Sequence, residues 1–472
     1  DILFAGHSER YSKKKHDPNL CSELIYDAMS YMNEEKYTLN YYERPYIKAI
    51  RQFRAGQDIG PLRVKRIIGP SYEHFDNRTG SIKTHNHHLC HAAGGFQTSP
   101  YQDATVVVID AIGELDTISI YDARYDKNGN AKYTKLWGKR YPDSIGLMYS
   151  AMTGRVGLRP LDEEYILMGM AAYGRSVYHD EMYENFISDL DSMSFKQNLH
   201  TGVSKDFLID ADDMDIAAST QSLTELLLRH IFIKAKSLSR SNNLVYSGGV
   251  ALNCLANRLI GKYFDNIWIM PNPGDAGNSL GAAALKYGKR LNWKDAFLGH
   301  DIVGKYPVDS LLEALDSKQI VGVANGRAEF GPRALGNRSL LADPRGPEIK
   351  DRVNEIKRRQ KFRPFAPVIL EELCDLYFDM PKNWNDSRYM QVISTCKNID
   401  LFPAIAHHDG TSRVQTVPAD GSGIRKLLEA WYAKTRCPML LNTSLNIRGE
   451  PMVNDRHDAD RFEKLYGVPV YS

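Results

Sequence analysis

His85-Asn86-His87-His88-Leu89-Cys90-His91, followed by Ala92-Ala93-Gly94-Gly95-Phe96, places four histidines in seven residues ahead of a run of small side chains. The spacing predicts a helix over 83–97. On that helix His87 and His91 are i and i+4 and share a face, so two imidazoles can reach one metal ion from a rigid backbone. His85 and His88 point elsewhere. The same spacing also arises as a surface or capping feature, so its weight depends on what surrounds it. Outward from it comes Ala104-Thr105-Val106-Val107-Val108-Ile109-Asp110. This β-branched run reads as a strand buried on both faces that ends in an acid. A carboxylate at the C-terminal end of such a strand faces the ligand crevice of an α/β sheet. Ile118-Ser119-Ile120-Tyr121 reads as its hairpin partner, with a later turn at Asn128-Gly129-Asn130.

Two glycine turns follow. Leu244-Val245-Tyr246-Ser247-Gly248-Gly249-Val250-Ala251-Leu252-Asn253 reads as strand, turn and helix start, a form in which backbone N–H groups approach a phosphate. Pro271-Asn272-Pro273-Gly274-Asp275-Ala276-Gly277 repeats the plan with an acid in the loop, ahead of a small-residue helix. The repetition predicts two similar lobes within residues 1–300. Residues 1–20 read as a short strand and a basic turn ending at His16-Asp17-Pro18, with another strand expected upstream of Asp1. Residues 20–60 have helical spacing, and 180–240 read as peripheral helices. Met168 and Met170 read as core filler.

The whole chain bounds the function classes. Its 472 residues allow two to four domains, and a net charge of +2 gives no global reason to bind nucleic acid. Six scattered cysteines without a C-x-x-C pair suit free thiols and a reducing, cytoplasmic compartment. No signal peptide and no apolar run of the roughly 18–20 residues of a membrane span is found. After residue 300 the texture changes. Arginines stand among Gly and Pro in Gly326-Arg327-Ala328-Glu329-Phe330-Gly331-Pro332-Arg333-Ala334-Leu335-Gly336-Asn337-Arg338-Ser339, in Lys357-Arg358-Arg359-Gln360-Lys361-Phe362-Arg363-Pro364, around Arg413 and near Arg448. Loops hold such side chains where they can fork onto phosphate or carboxylate oxygens. A ring of structural ion pairs is the plainer alternative. His87, His91, Asp110 and Asp275 together make a plausible open site of N and O donors, suited to Fe2+, Mn2+ or Zn2+.

These blocks, taken in order along the chain, resemble the O-carbamoyltransferases of the antibiotic and nodulation-factor type. The matching segments are Glu9-Arg10-Tyr11-Ser12 with Lys15-His16-Asp17, His87-His88-Leu89-Cys90-His91-Ala92-Ala93, Asp110-Ala111-Ile112-Gly113-Glu114, Ser247 to Asn253, and Gly274-Asp275-Ala276-Gly277. Glu329 to Gly336, Phe362-Arg363-Pro364-Phe365-Ala366-Pro367 and Asn442-Thr443-Ser444 complete them. The resemblance implies an α/β protein in two domains. Residues 1–305 would be a carbamoyl-transfer domain of actin-like ATPase (ASKHA) architecture, similar to the tRNA threonylcarbamoyl-transfer protein. Residues 306–472 would be an α/β YrdC-like domain, similar to the threonylcarbamoyl-adenylate synthase, that makes carbamoyl-adenylate from ATP and carbamoyl phosphate. By position it implies His87, His91, Asp110 and Asp275 as ligands of a divalent metal, Fe2+ favoured. It implies Gly248, Gly249 and Asn253 at the nucleotide of the first domain. Arg333, Arg338, Lys357, Arg363, Arg413, Asn442 and Ser444 would hold ATP, with its Mg2+, and carbamoyl phosphate in the second. Lys15, His16 and Glu114 are the catalytic candidates.

Three departures from the family pattern stand out. The strand and His-Asp that usually open the family are absent, so His16 stands in as a fallback base. The family's Asp-Gly-x-Gly-Glu reads Asp110-Ala111-Ile112-Gly113-Glu114, with Ala111 for the first glycine, and Ile166 sits where a lysine usually precedes Met-Gly. The acceptor hydroxyl is open between a hydroxymethylated pyrimidine in DNA and a sugar or antibiotic. DNA is motivated by the basic, Tyr-rich stretch holding Lys13, Lys14, Lys15, Arg44, Arg51, Arg54, Arg63, Lys65 and Arg66. A non-catalytic nucleotide- and metal-binding regulator is the remaining alternative. A monomer or homodimer is expected.

Overall fold

The computed structural model describes residues 1–17, 19–32, 36–54, 56–68 and 79–472. Pro18, the end of the expected basic turn, lies outside them. The first seven residues form no strand. They are irregular, with Ala5 N–H donating to Leu298 O at 2.9 Å, and they lead into helix α1 (Ser8–Ser12). Helix α2 (Ser22–Ser30), strand β1 (Tyr37–Tyr41) and helix α3 (Pro45–Arg54) follow, so the helical reading of 20–60 misses β1. Strand β2 (Thr79–Thr84) pairs parallel with β1.

The histidine helix, α4, spans His87–Thr98 and not 83–97. Asn86 sets its start: the Asn86 Oδ1 accepts from Leu89 N–H at 2.9 Å, the N-cap bond that ends the extended segment. Strands β3 (Asp103–Gly113), β4 (Asp116–Tyr125) and β5 (Ala131–Arg140) form an antiparallel meander in which Ile109 faces Ile118. Val106, Val107, Val108 and Ile109 are all fully buried, which is why an uninterrupted apolar run reads correctly as a strand.

Helices α5 (Ile145–Arg155), α6 (Glu164–Met170) and α7 (Asp213–Leu238) cover one face of this sheet. The peripheral reading of 180–240 fails for α7. Its Ile216, Leu223, Leu227, Ile231 and Phe232 are fully buried against Met148, Met152, Met168 and Met170. Strands β6 (Asn243–Ser247) and β7 (Asn266–Trp268) complete a five-stranded sheet of order β5-β4-β3-β6-β7, ahead of helix α8 (Asn278–Tyr287). Strands β3, β6 and β7 are parallel. Among the described residues the two glycine turns therefore do not mark two matched lobes. Both leave the same edge of one sheet, where Asp110 lies two residues past Val108, the last residue of β3 that pairs with β6, and the C-terminal edge of parallel strands is where α/β sheets bind ligands.

The last third builds a second core. Strands β8 (Phe297–Ile302), β9 (Val321–Ala324), β10 (Gly326–Glu329), β11 (Arg338–Ala342), β12 (Ala366–Leu370), β13 (Gln415–Val417), β14 (Met439–Ser444) and β15 (Val470–Tyr471) form a pair, β8 with β10, and a six-stranded sheet of order β13-β12-β14-β11-β9-β15. Helices α9 (Val308–Asp316), α10 (Ile349–Lys357), α11 (Gly423–Thr435) and α12 (Arg456–Tyr466) accompany it. Leu311, Leu427, Leu428, Trp431 and Phe462 are buried in that core. The two cores meet where Tyr173 Oη donates to Phe362 O at 2.6 Å and Arg448 pairs with Glu163 at 3.0 Å. Among the described residues no helix is long and apolar enough to cross a membrane.

Candidate active site

Helices α4 and α8 approach closely because glycine faces glycine. A Cβ placed on Gly94 would stand 3.2 Å from Gly281 Cα, and one placed on Gly281 would stand 2.2 Å from Cys90 O. The small-residue runs thus bring the histidines of α4 against the turn that carries Asp275. His87 Nε2 lies 3.1 Å from Asp110 Oδ2 and 3.1 Å from Asp275 Oδ1. His91 Nε2 lies 3.2 Å from His87 Nε2, 3.2 Å from Asp110 Oδ2 and 3.3 Å from Asp275 Oδ1. Two imidazole nitrogens and two carboxylate oxygens therefore converge on one point. Donor atoms 3.1–3.3 Å apart subtend about 95–104° at an ion about 2.1 Å from each, a metal–ligand distance for imidazole and carboxylate. Burial opposes charge on both rings, yet the carboxylates of Asp275 and Asp110 hold His87 well above, and His91 above, the ordinary histidine range. The donor set fits a divalent cation in place of those protons.

The neighbours orient this set. His87 Nδ1 faces Glu43 Oε1 at 3.6 Å, and Glu43 pairs with Lys48 at 2.8 Å. Asp110 Oδ1 accepts from Ala111 N–H at 2.8 Å, leaving Oδ2 for the cluster. Asn278 is buried at the start of α8, with Nδ2 3.4 Å from His87 Nε2. Sequence reasoning missed Glu43 and Asn278; the one available signal was that Asn278 falls one helical turn after Asp275. His88 turns into the sheet with Nδ1 2.8 Å from Ser119 Oγ, and burial keeps it well below the usual histidine value. His85 precedes the helix and meets Asn40 Oδ1 at 3.0 Å.

Gly248 and Gly249 adjoin the cluster. Gly248 has φ +93°, and a Cβ there would lie 2.1 Å from Ile109 O, so only glycine lets β6 turn this close to β3. A Cβ on Gly249 would stand 3.2 Å from Asp110 Oδ1, so an open strip of backbone runs beside the carboxylates. Asn253 does not face that strip. Its amide pairs with Gln221 at 3.0 and 3.1 Å and its Oδ1 caps the helix at Ala256 N–H, so it is a structural group.

Glu114 is likewise no free acid. It is buried, takes Arg44 Nε and Nη2 at 3.1 and 2.6 Å and Arg44 N–H at 2.5 Å, and accepts from Asn86 Nδ2 at 3.3 Å. It holds the start of α4 in place. Lys15 and His16 engage the loop before α6: His16 Nε2 lies 2.6 Å from Asp162 Oδ1, Lys15 Nζ lies 3.4 Å from the same oxygen, and Lys15 stands 5.7 Å from the centre of the Tyr165 ring.

Tyr165 is shared. Arg363 stands 5.0 Å from the same ring, at the edge of a second constellation comprising Arg333, Lys357, Arg359, Arg363 and Arg413. Burial and then the Arg413 charge push Arg333 down to about 9. Burial, with Arg359 and Arg363 adding repulsion, holds Lys357 well below its ordinary value. Arg413 Nε is buried without a hydrogen-bond partner among the described residues. None of the five pairs with a carboxylate among the described residues; Arg448, close enough to repel Arg363, is the neighbour that does, with Glu163. Clustered cations without counter-charge have the chemistry to take a polyanion.

Lys357 is fixed in that site by Ser444 O at 2.5 Å, Ser444 Oγ at 3.0 Å and Asn446 Oδ1 at 2.7 Å. Asn442 donates to Ala334 O and Gln415 Oε1, and its Oδ1 is buried without a donor. Arg338 departs from the expectation. It is fully buried, and its guanidinium donates to the carbonyls of Asn454, Asn325, Gly326, Asn337 and His300, which makes it a structural post. The group that shapes the arginine loop is Glu329, whose Oε1 collects the N–H groups of Leu335, Asn337 and Arg338 at 2.8, 2.9 and 3.1 Å.

Family models match both parts of the chain: "Carbamoyltransferase N-terminus" over residues 4–284 and "Carbamoyltransferase C-terminus" over 312–468. An uncharacterized Synechocystis protein is 31% identical, with 98% of this chain and 90% of that one covered. "3'-hydroxymethylcephem-O-carbamoyltransferase" of Amycolatopsis lactamdurans is 29% identical over 99% of this chain and 93% of its own length. "Nodulation protein NolNO" of Sinorhizobium fredii is 30% identical over 79% of this chain and 60% of its own.

Proposed function

Since the chain belongs to the carbamoyltransferase family, an enzyme family, we propose that it is an ATP-dependent O-carbamoyltransferase working as a relay between two sites. Residues 306–472 form the YrdC-like domain that makes carbamoyl-adenylate, and residues 1–305 form the transfer domain of actin-like ATPase architecture. The observation that carries the reading is the group of five cations, Arg333, Lys357, Arg359, Arg363 and Arg413, unpaired with any carboxylate among the described residues.

Adenylate formation brings the phosphates of MgATP and carbamoyl phosphate together, which needs that density of positive charge. Carbamoyl phosphate yields orthophosphate to water. The carbamate oxygen so freed attacks the α-phosphorus of ATP, and pyrophosphate leaves. Arg333, Arg363 and Arg413 neutralise the phosphate oxygens, while Ser444 and Asn446 hold Lys357 in place. Tyr165 carries Arg363 and Lys15 against one ring, which supports a path for the anionic adenylate between the sites. In the first domain the bare backbone at Gly248-Gly249 receives the nucleotide, and His87, His91, Asp110 and Asp275 would hold the divalent metal. Fe2+ is favoured, with Mn2+ or Zn2+ as alternatives; once bound, the metal supplies Lewis-acid polarisation of the adenylate. The acceptor oxygen attacks the carbamoyl carbon, its proton is lost, and AMP departs.

The acceptor we favour is a hydroxyl of a small molecule, the class named for the cephem relative. The DNA reading has lost part of its motivation: Lys13 pairs with Asp458, Lys15 with Asp162 and Arg44 with Glu114, which leaves fewer basic side chains free to track a strand. The regulator reading leaves the unpaired cations without a purpose.

The test is to incubate the protein with MgATP and carbamoyl phosphate without acceptor. Pyrophosphate should appear, Arg363→Ala should stop it, and His91→Ala should spare it while abolishing transfer. Identical failure of both variants at the first step would refute the relay. Mass spectrometry with small hydroxyl acceptors, and with hydroxymethylcytosine DNA, then identifies the substrate.

A further inference from the structure

We propose that the side-chain amide oxygen of Asn278 is a fifth ligand of the cation held by His87, His91, Asp110 and Asp275; the inference rests on reading that cluster as a metal site. Asn278 is 1% exposed, and its Nδ2 stands 3.4 Å from His87 Nε2. That ring nitrogen already faces Asp110 and Asp275 at 3.1 Å, and as a ligand its lone pair is committed to the metal. It cannot also accept from an amide N–H.

The opposite end of the amide is equally misplaced. Asn278 Oδ1 is buried with no donor among the described residues. It lies 3.3 Å from the point where a Gly281 Cβ would be, and the Cys90 carbonyl oxygen lies 2.2 Å from the same point. An acceptor without a donor therefore stands on the glycine seam, and a donor faces a ligand nitrogen. A half turn of the amide, which changes no heavy-atom envelope, corrects both faults. The NH2 then takes the Gly281 side, and the oxygen takes the place 3.4 Å from His87 Nε2.

That distance suits a shared ion. Two ligands about 2.1 Å from one metal are about 3.0 Å apart at a right angle and about 3.6 Å apart at 120°. Placement supports it too. Asn278 begins α8 directly after the 3-10 turn Asp275–Gly277, so both oxygens come from one continuous turn of backbone. An amide oxygen is a hard neutral donor. Added to two imidazoles and two carboxylates, it moves the site away from the closed tetrahedron preferred by structural Zn2+ and toward the higher coordination of Fe2+ or Mn2+.

The experiment strips the full chain with a chelator and titrates it with Co2+, whose visible bands strengthen as coordination falls from five or more to four. The wild type should show weak bands. Asn278→Ala should show stronger, shifted bands and a Kd raised about 10- to 100-fold. Asn278→Asp, which restores an oxygen, should return the weak bands and bind at least as tightly. Unchanged bands in Asn278→Ala, whether or not the Kd rises, would overturn ligation and leave only a positioning role. His91→Ala is the control for the underlying reading. Should wild-type uptake be absent, or survive His91→Ala undiminished, the metal site itself falls and the inference with it; uptake abolished by His91→Ala with an indifferent Asn278→Ala sinks the fifth ligand alone.

Discussion

Replacing Gly281 by alanine tests whether the approach of α4 and α8 builds the proposed metal site. The added Cβ would meet Cys90 O at 2.2 Å and Cys90 C at 2.8 Å, both backbone atoms that no rotamer can move aside. An ordinary carbon–oxygen contact is about 3.3 Å, so the helices must part by about 1 Å. His87 and His91 ride on α4, while Asp275 and Asn278 stand at the start of α8, so the opening falls across the cluster. Donor atoms now 3.1–3.3 Å apart would be drawn beyond the reach of a single ion. Metal sites tolerate only about 0.2 Å of displacement. Overpacking of this kind costs about 1–3 kcal/mol of stability. The expected result is a folded protein with a lowered Tm that retains little Co2+ or Fe2+ by elemental analysis. It should still release pyrophosphate from ATP and carbamoyl phosphate, because the second core is untouched. Gly169→Ala is the control: it also sits in a helix but has nothing within 4 Å of its Cβ position, so Tm and metal content should hold. Wild-type metal content and Tm in Gly281→Ala would refute the argument that the glycine seam positions the ligands.

Arg44→Ala leaves the buried Glu114 carboxylate without its fork, and losing charge-assisted bonds of this kind costs about 2–3 kcal/mol; chemical denaturation should show that loss, and carbamoyl transfer per folded molecule should fall far less than for His91→Ala. Tyr165→Leu removes the ring shared by Lys15 and Arg363. Cation–π contacts at partly exposed sites are worth about 0.5–1 kcal/mol each, so the KM for ATP should rise about 2- to 5-fold in a pyrophosphate-release assay, with Tyr165→Phe near wild type. His7, half-buried against the Phe330 ring, is lowered to about 3 by burial and then by Arg10, so it is neutral in the fold and charges on unfolding below its ordinary value. Its contribution to stability is full above pH 6.5 and is lost as pH falls toward 3, so Tm should decline through that window less steeply in His7→Gln.

Local chemistry made much of the site legible. The i, i+4 histidines, an acid ending an all-apolar strand and an acid in a glycine loop each announce themselves within a few residues, because helix period, strand burial and turn chemistry are short-range. The family blocks carry the assignment to carbamoyltransferases because they occur in order along almost the whole chain. What short-range patterns do not carry is the commitment of a polar side chain. Glu114, Asn253 and Arg338 sit in the same motifs as the converging groups, yet each is consumed by partners: Arg44, the Gln221 amide, and carbonyls up to 116 residues away in the case of Arg338. Glu329 shows the reverse. It reads as one more acid in a loop, and only the folded chain brings three N–H groups onto one of its oxygens.

The amino-acid order alone determined the kind of protein, the identity of the donor atoms and the presence of two chemically distinct halves, since these depend on residue type and local period. Tertiary structure decided which donors meet. Asp275 reaches His87 across 188 positions because β3, β6 and β7 run parallel and deliver their C-terminal ends to one edge, and because glycine opposite glycine lets α8 lie against α4. Convergence of that kind is a property of packing distances, and no window of sequence contains it.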